Sequence, residues 1–329
     1  MIPNRLIANL ANAADAALSP ILQTGASSHG QAPPTGEVGF VAAAVLGGVP
    51  AIASAWNPIL GPAGYHVRMS GVFCHKAPQA TFTDSAGNSV SCELADLLVV
   101  VDDLTSGGSG QRWAALIQAK MAAAGGGKTL TGTLDLRQLD LFTRWPLFSL
   151  PTGYRQGNRD FATCGHSGAP IDCGRYGLID GQPSPKWHQQ APSTVMSAGG
   201  DQLGSFLAHM VEVGQSGFGR EATGTTDDWS MTVDELLNLT YASVFNYVTG
   251  FGPSNPQPRQ TSALSLVATT PRAFRVSDRP IFYYVRDNVW WEDRPPPSGG
   301  KPEFPDDGLP EMRGLSVLRI GIGGDGIER

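Results

Sequence analysis

The chain has 329 residues, a formal net charge of -6, 41% hydrophobic residues and a mean hydropathy of -0.11. These values exclude an intrinsically disordered chain and a protein coated in positive charge for bulk nucleic-acid binding, and the length allows one large domain or two modest ones. The 41 Gly and 25 Pro predict long, irregular connections.

Residues 6–23 read as a helix interrupted by Asn9, Asn12 and Asp15, which is not the unbroken apolar core of a signal peptide. No run of 18 apolar residues stands out as a membrane span, so a cytoplasmic protein with no membrane partner is the expectation. A polar linker, residues 24–30, closes an N-terminal segment of residues 1–30. A second helix is predicted from Glu37 to about residue 46. Residues 65–74 and 78–84 are rich in Val, Phe, Thr and Tyr and predict strands. The clearest signal follows. Residues 93–101 and 113–121 are short, continuous apolar runs joined by a Gly/Ser loop, as expected of neighbouring strands buried on both faces. A helix is predicted over about residues 134–145, stopped by Pro146. Residues 31–150 thus form the expected core.

The remainder, residues 151–329, is expected to be an extension of mixed α/β character that binds substrate or serves assembly. Residues 151–200 carry little periodicity. Residues 202–213 and 232–249 read as helices, the second with Thr232 as N-cap and Glu235 at capping-box spacing. Residues 315–322 suit a closing strand.

The two apolar runs carry polar groups that a core strand rarely tolerates. Asp96 falls in the first, where a carboxylate is costly unless paired or bound to a cation. In the second, Gln118 and Lys120 are two apart, so both point to one face. An acid, an amide oxygen and an ammonium on adjacent strands form a set suited to phosphodiester cleavage. A hard divalent ion held by oxygen donors polarises the phosphate and acidifies a bound water, and a lysine stabilises developing charge.

At Asp96 and Gln118-Ala119-Lys120 the chain resembles the PD-(D/E)XK nuclease superfamily in its QxK variant, although Ala95 stands where a proline is usual. The resemblance covers roughly residues 35–150. It implies a restriction-endonuclease-like α/β fold, a central mixed β-sheet flanked by helices. Asp96 would then be the main ligand of Mg2+ (or Mn2+), joined by Gln118 and the Ala119 carbonyl, with Lys120 positioning the attacking water. Such families often add a glutamate from a preceding helix, for which Glu37 is the candidate. They also carry a glutamine on the following helix with an aromatic four residues on, matched by Gln138 and Phe142. The implied activity is metal-dependent hydrolysis of DNA, with RNA as the alternative substrate, in restriction or phage defence. A homo-oligomer or a defence-system partner is left open. The alternative is a nucleic-acid-binding or assembly protein that keeps this fold without turnover.

Weaker signals surround this set. His75 precedes the two runs and is a candidate substrate contact. Arg259, Arg272 and Arg275 lie in an acid-free stretch, residues 236–277, and are candidate nucleic-acid contacts. Residues 122–129 fit a loose phosphate-binding loop ending in Lys128-Thr129, but Ala122 replaces its first glycine and the threonine-rich sequence after it disfavours an immediate helix. An NTPase is therefore a minor reading. Cys164, His166, Cys173 and His188 follow no zinc-site spacing.

Overall fold

The computed structural model describes residues 2–27, 31–74, 78–103, 105, 110–124, 126–163, 170–181, 183–212, 218–224 and 226–242. It also describes strand segments 263–269, 283–286 and 289–292 and residues 314–324. His75, Cys164, His166, Arg259, Arg272 and Arg275 lie outside the described residues.

The first half runs α1 (Asn4–Thr24), α2 (Gly36–Ala43), a π-helical turn (Ala44–Gly48), α3 (Val49–Leu60), β1 (Tyr65–Cys74), β2 (Gln79–Thr83), β3 (Ser89–Glu93), β4 (Leu97–Asp103), β5 (Gln111–Met121), β6 (Gly127–Thr129), α4 (Thr133–Arg144) and β7 (Phe148–Ser149). The second half continues with β8 (Gly174–Ile179), β9 (Trp187–Gln190), β10 (Val195–Ser197), β11 (Asp201–Gln202), α5 (Leu203–Met210), β12 (Arg220–Glu221), α6 (Asp228–Ala242), β13 (Ala263–Thr269), β14 (Tyr283–Arg286), β15 (Val289–Glu292) and β16 (Ser316–Gly324).

α1 buries Leu6, Ile7, Leu10, Ala14, Leu18 and Leu22, the three-to-four spacing of an amphipathic helix. That stripe packs on α3 and α5, and Trp56 of α3 donates its indole N–H to the Leu10 carbonyl at 2.9 Å. The second predicted helix does not stop near residue 46. The Pro50 ring would clash with the carbonyl four residues back, and the chain widens into the π-helical turn Ala44–Gly48 and continues as α3. Gly47 and Gly48 let this turn approach α1, because a methyl group on either would collide with Ile21 or Leu18. The stretch Gly36–Ala63 is apolar and long enough to cross a membrane, but most of it is buried inside the fold.

A nine-stranded mixed sheet has the order β11-β9-β8-β5-β4-β16-β1-β13, with β12 pairing the first part of β5. β4 and β5 are antiparallel, and β8 runs parallel to β5 after the connection through α4. The predicted closing strand is central. β16 lies between β1 and β4, antiparallel to the first and parallel to the second. Strands from beyond residue 150 therefore share one sheet with β1, β4 and β5. Alternation divides the apolar side chains between two faces. Leu97, Val99, Val101, Ile117 and Ala119 pack with α1, α3 and α5. Leu98, Val100, Leu116, Tyr176 and Leu178 pack with α4, α6 and the small sheet β3-β2-β7. The architecture is a curled mixed sheet flanked by helices.

Two local expectations are corrected. Residues 93–101 are not one strand: β3 ends at Glu93, β4 begins at Leu97, and Asp96 occupies the bend between them. Thr232 is not an N-cap. α6 begins a turn earlier, where Asp227 accepts the Ser230 amide at 2.9 Å, while the Thr232 hydroxyl donates back to the Asp228 carbonyl at 2.6 Å. The expected capping partner Glu235 pairs instead with the fully buried Arg159 at 2.7 Å.

Candidate functional site

The site begins with a backbone problem. β4 pairs with β5 from Asp103 back to Leu97, which faces Ile117, and Asp96 adds one more bond from its amide to the Ile117 carbonyl at 3.0 Å. Beyond that point β5 runs on to Met121 with no β4 residue beside it. The next backbone groups on that side belong to Ala119 and Met121, and buried amides need acceptors. Two carboxylates supply them. Asp96 Oδ2 accepts the Ala119 amide at 2.8 Å, and Glu37 Oε1, from the first turn of α2, accepts the Met121 amide at 3.2 Å. Because a strand residue points its N–H and C=O to the same side, the Ala119 carbonyl is directed toward this edge as well. One opened strand edge thus gathers Asp96, Glu37 and the Ala119 carbonyl.

Gln118 and Lys120 project from β5 onto the face covered by α4. Both are buried, at 2% and 7% exposure. Gln118 Nε2 donates to Asp96 Oδ2, and Gln118 Oε1 accepts from Gln138 Nε2, which also donates to the Glu93 carbonyl at 3.1 Å. Gln138 therefore reaches the site from α4, while Phe142 one turn on is core, 5.1 Å from Trp145 and 5.7 Å from Tyr176 between ring centroids. Lys120 Nζ pairs with Asp135 Oδ1 at 2.8 Å, and Lys128 Nζ stands 4.0 Å from the other oxygen. Asp135 lies in the first turn of α4, where the helix dipole favours a carboxylate.

Burial pushes the Asp96 carboxyl up to about 7; the Ala119 amide opposes the rise, the nearby Glu37 and Glu93 charges add to it, and Lys120 opposes it. A carboxyl whose folded value lies above its unfolded value near 3.9 contributes stability below about pH 4 and loses it as pH rises through 7. In EDTA, Asp96→Asn keeps an oxygen for the Ala119 amide and removes that loss. Urea unfolding at pH 8 should show the variant more stable by on the order of 2 kcal/mol, a figure reduced for solvent screening, with the gap closing near pH 4. A variant less stable than wild type at pH 8 would contradict this electrostatic account.

Do these residues fit a divalent cation? Among the described residues no three His, Cys, Asp or Glu side chains converge as a ready ligand cluster. Mg2+, however, commonly takes one or two protein carboxylates and keeps several waters. Asp96 and Glu37 meet that requirement at one edge, and their mutual repulsion is the electrostatic condition that a cation relieves. The Tyr176 hydroxyl, on the strand beside Gln118, is buried without a hydrogen-bond partner. The donor set fits Mg2+ or Mn2+.

Asp135 and Tyr176 were not anticipated from sequence. Asp135 precedes Gln138 by three residues, hence lies on the same helix face, and that spacing is a readable signal. Tyr176 belongs to the run Gly174–Ile179, a short apolar strand hidden in Gly-rich surroundings. Lys128 lies on β6, paired with β10, and no helix starts until Thr133, unlike a phosphate-binding loop. Of the scattered Cys and His, Cys173 is buried beside Arg220 and His188 faces Asp180 at 3.3 Å. Comparison with protein-family models, with curated proteins and with solved structures finds no match for this chain.

Proposed function

We propose that this protein is a divalent-metal-dependent nuclease of the PD-(D/E)XK type, hydrolysing phosphodiester bonds in DNA in preference to RNA. The observation that carries the reading is the opened edge of β5. Asp96 and Glu37 receive successive free amides there, and Lys120 projects beside them on the α4 face. The surrounding connectivity supports it: two antiparallel strands, a helical crossover and a strand parallel to the second. These strands belong to a mixed sheet flanked by helices, as the resemblance implies, with β16 lying between β1 and β4.

Asp96, Glu37, the Gln118 amide oxygen and the Ala119 carbonyl are the groups that would hold Mg2+ or Mn2+, which when bound supplies Lewis-acid polarisation of the phosphate and acidification of water. The protein's own part is positional. Gln138 keeps the Gln118 side chain at the site, and the first turn of α4 holds Asp135 against Lys120 so that the ammonium stays near the carboxylates. An ammonium so placed orients a water and stabilises charge developing on phosphate oxygens. The four carboxylates Glu37, Glu93, Asp96 and Asp135 outnumber Lys120 and Lys128, so the site attracts a cation before a polyanion.

Purified protein should cut plasmid or linear DNA in Mg2+ or Mn2+ and stop in EDTA. Binding of DNA without cleavage in either metal would favour the alternative, an inactive nucleic-acid-binding or assembly protein. A place in restriction or phage defence follows from the family resemblance and is part of the proposal.

A further inference from the structure

Tyr176 stands directly across the β5–β8 ladder from Gln118, on the same face of the sheet. It is fully buried, its ring lies against Phe142, and its hydroxyl has no hydrogen-bond partner. The polar atoms around it are committed elsewhere: Gln118 Nε2 to Asp96, Gln118 Oε1 to Gln138, and Gln138 Nε2 also to the Glu93 carbonyl. Burial above all, with the charges of Asp135 and Asp96 adding to it, pushes the phenol up, and Asp135 holds Lys120, two residues beyond Gln118 on the same sheet face.

This arrangement satisfies Asp96 but turns the wrong atom of Gln118 toward it. An amide that helps to hold a cation beside Asp96 must present its oxygen, and its N–H2 group then loses the Asp96 acceptor. We infer that Tyr176 is a positioning residue for the cation site: its hydroxyl accepts the turned Gln118 amide and donates onward to Asp135, linking cation binding to the carboxylate that holds Lys120. The inference rests on the metal-binding reading above. A chain of this kind gives the phenol and the turned amide a partner each while Gln138 keeps the Glu93 carbonyl, whereas the arrangement without a cation leaves the phenol unpaired.

The test compares the full chain with Tyr176→Phe, first in EDTA and then by calorimetric titration with Mn2+. In EDTA the variant should melt at or above the wild-type temperature, because it removes a hydroxyl that has no partner. In Mn2+ its affinity should fall about tenfold, the cost of a second-layer orienting partner of a metal ligand. The melting shift that Mn2+ produces should shrink with it. Equal Mn2+ affinity in the two chains would overturn this inference alone, as would a variant that melts well below wild type in EDTA. Failure of the wild type itself to bind Mn2+ would overturn the metal reading and this inference together.

Discussion

Lys120→Ala is expected to lower metal-dependent cleavage about a thousandfold while leaving Mn2+ affinity within a few-fold of wild type. The argument is positional. Lys120 extends from the strand that carries Gln118, but its ammonium is held by Asp135 and belongs to none of the oxygen donors. Removing it leaves Asp96, Glu37 and the Ala119 carbonyl in place and takes away the ammonium that, on the proposed reading, would steady developing negative charge. Asp135 remains near Lys128 and in the first turn of α4, so the loss of its partner is tolerable for the fold. A single-turnover assay beside a Mn2+ titration separates the two effects. Loss of affinity in step with loss of rate would mean that Lys120 acts on the cation site and not on the reaction.

Asp96→Ala is the second large effect, and it should fail differently. Cleavage should fall to background because metal affinity collapses. The variant also strips the acceptor from the Ala119 amide and from Gln118 Nε2, so two donors in a largely buried site lose their partner at about 1–3 kcal/mol each. Asp96→Asn should be as inactive as Asp96→Ala but more stable than wild type at pH 8 in EDTA. A group whose removal stabilises the fold and abolishes function is one that the fold carries at a cost. If instead Asp96→Asn retained full metal-dependent cleavage, the carboxylate would be only a cap on the strand edge.

Much of this geometry was legible because the sequence is simple where it matters. Two continuous apolar runs with a Gly/Ser loop between them form an antiparallel pair, and period-two alternation puts Gln118 and Lys120 on one face. Gln138, which the family resemblance offers as the glutamine of the following helix with Phe142 four residues on, does reach Gln118. What was not legible depends on partners distant in the chain. Leu94 and Ala95 are as apolar and as buried as strand residues, so nothing local shows that the strand breaks there and leaves Asp96 at an edge. β16 reads as a strand, but its insertion between β1 and β4 is decided by pairing across more than two hundred residues, as Ser316 opposite Leu97 illustrates. The π-helical turn is a response to Pro50 and to close packing on α1, where sequence rules predict a stop. Helical spacing from Gln138 marks the face on which Asp135 lies, but its pairing with Lys120, like the placement of Tyr176 beside Gln118, is set only in the folded chain.

The most direct test of the central claim is one cleavage assay on plasmid and linear DNA. It compares wild type, Asp96→Ala and Lys120→Ala in Mg2+ or Mn2+, each with and without EDTA. The account predicts cleavage by the wild type alone, abolished by EDTA. Cleavage that persists in both variants would contradict it.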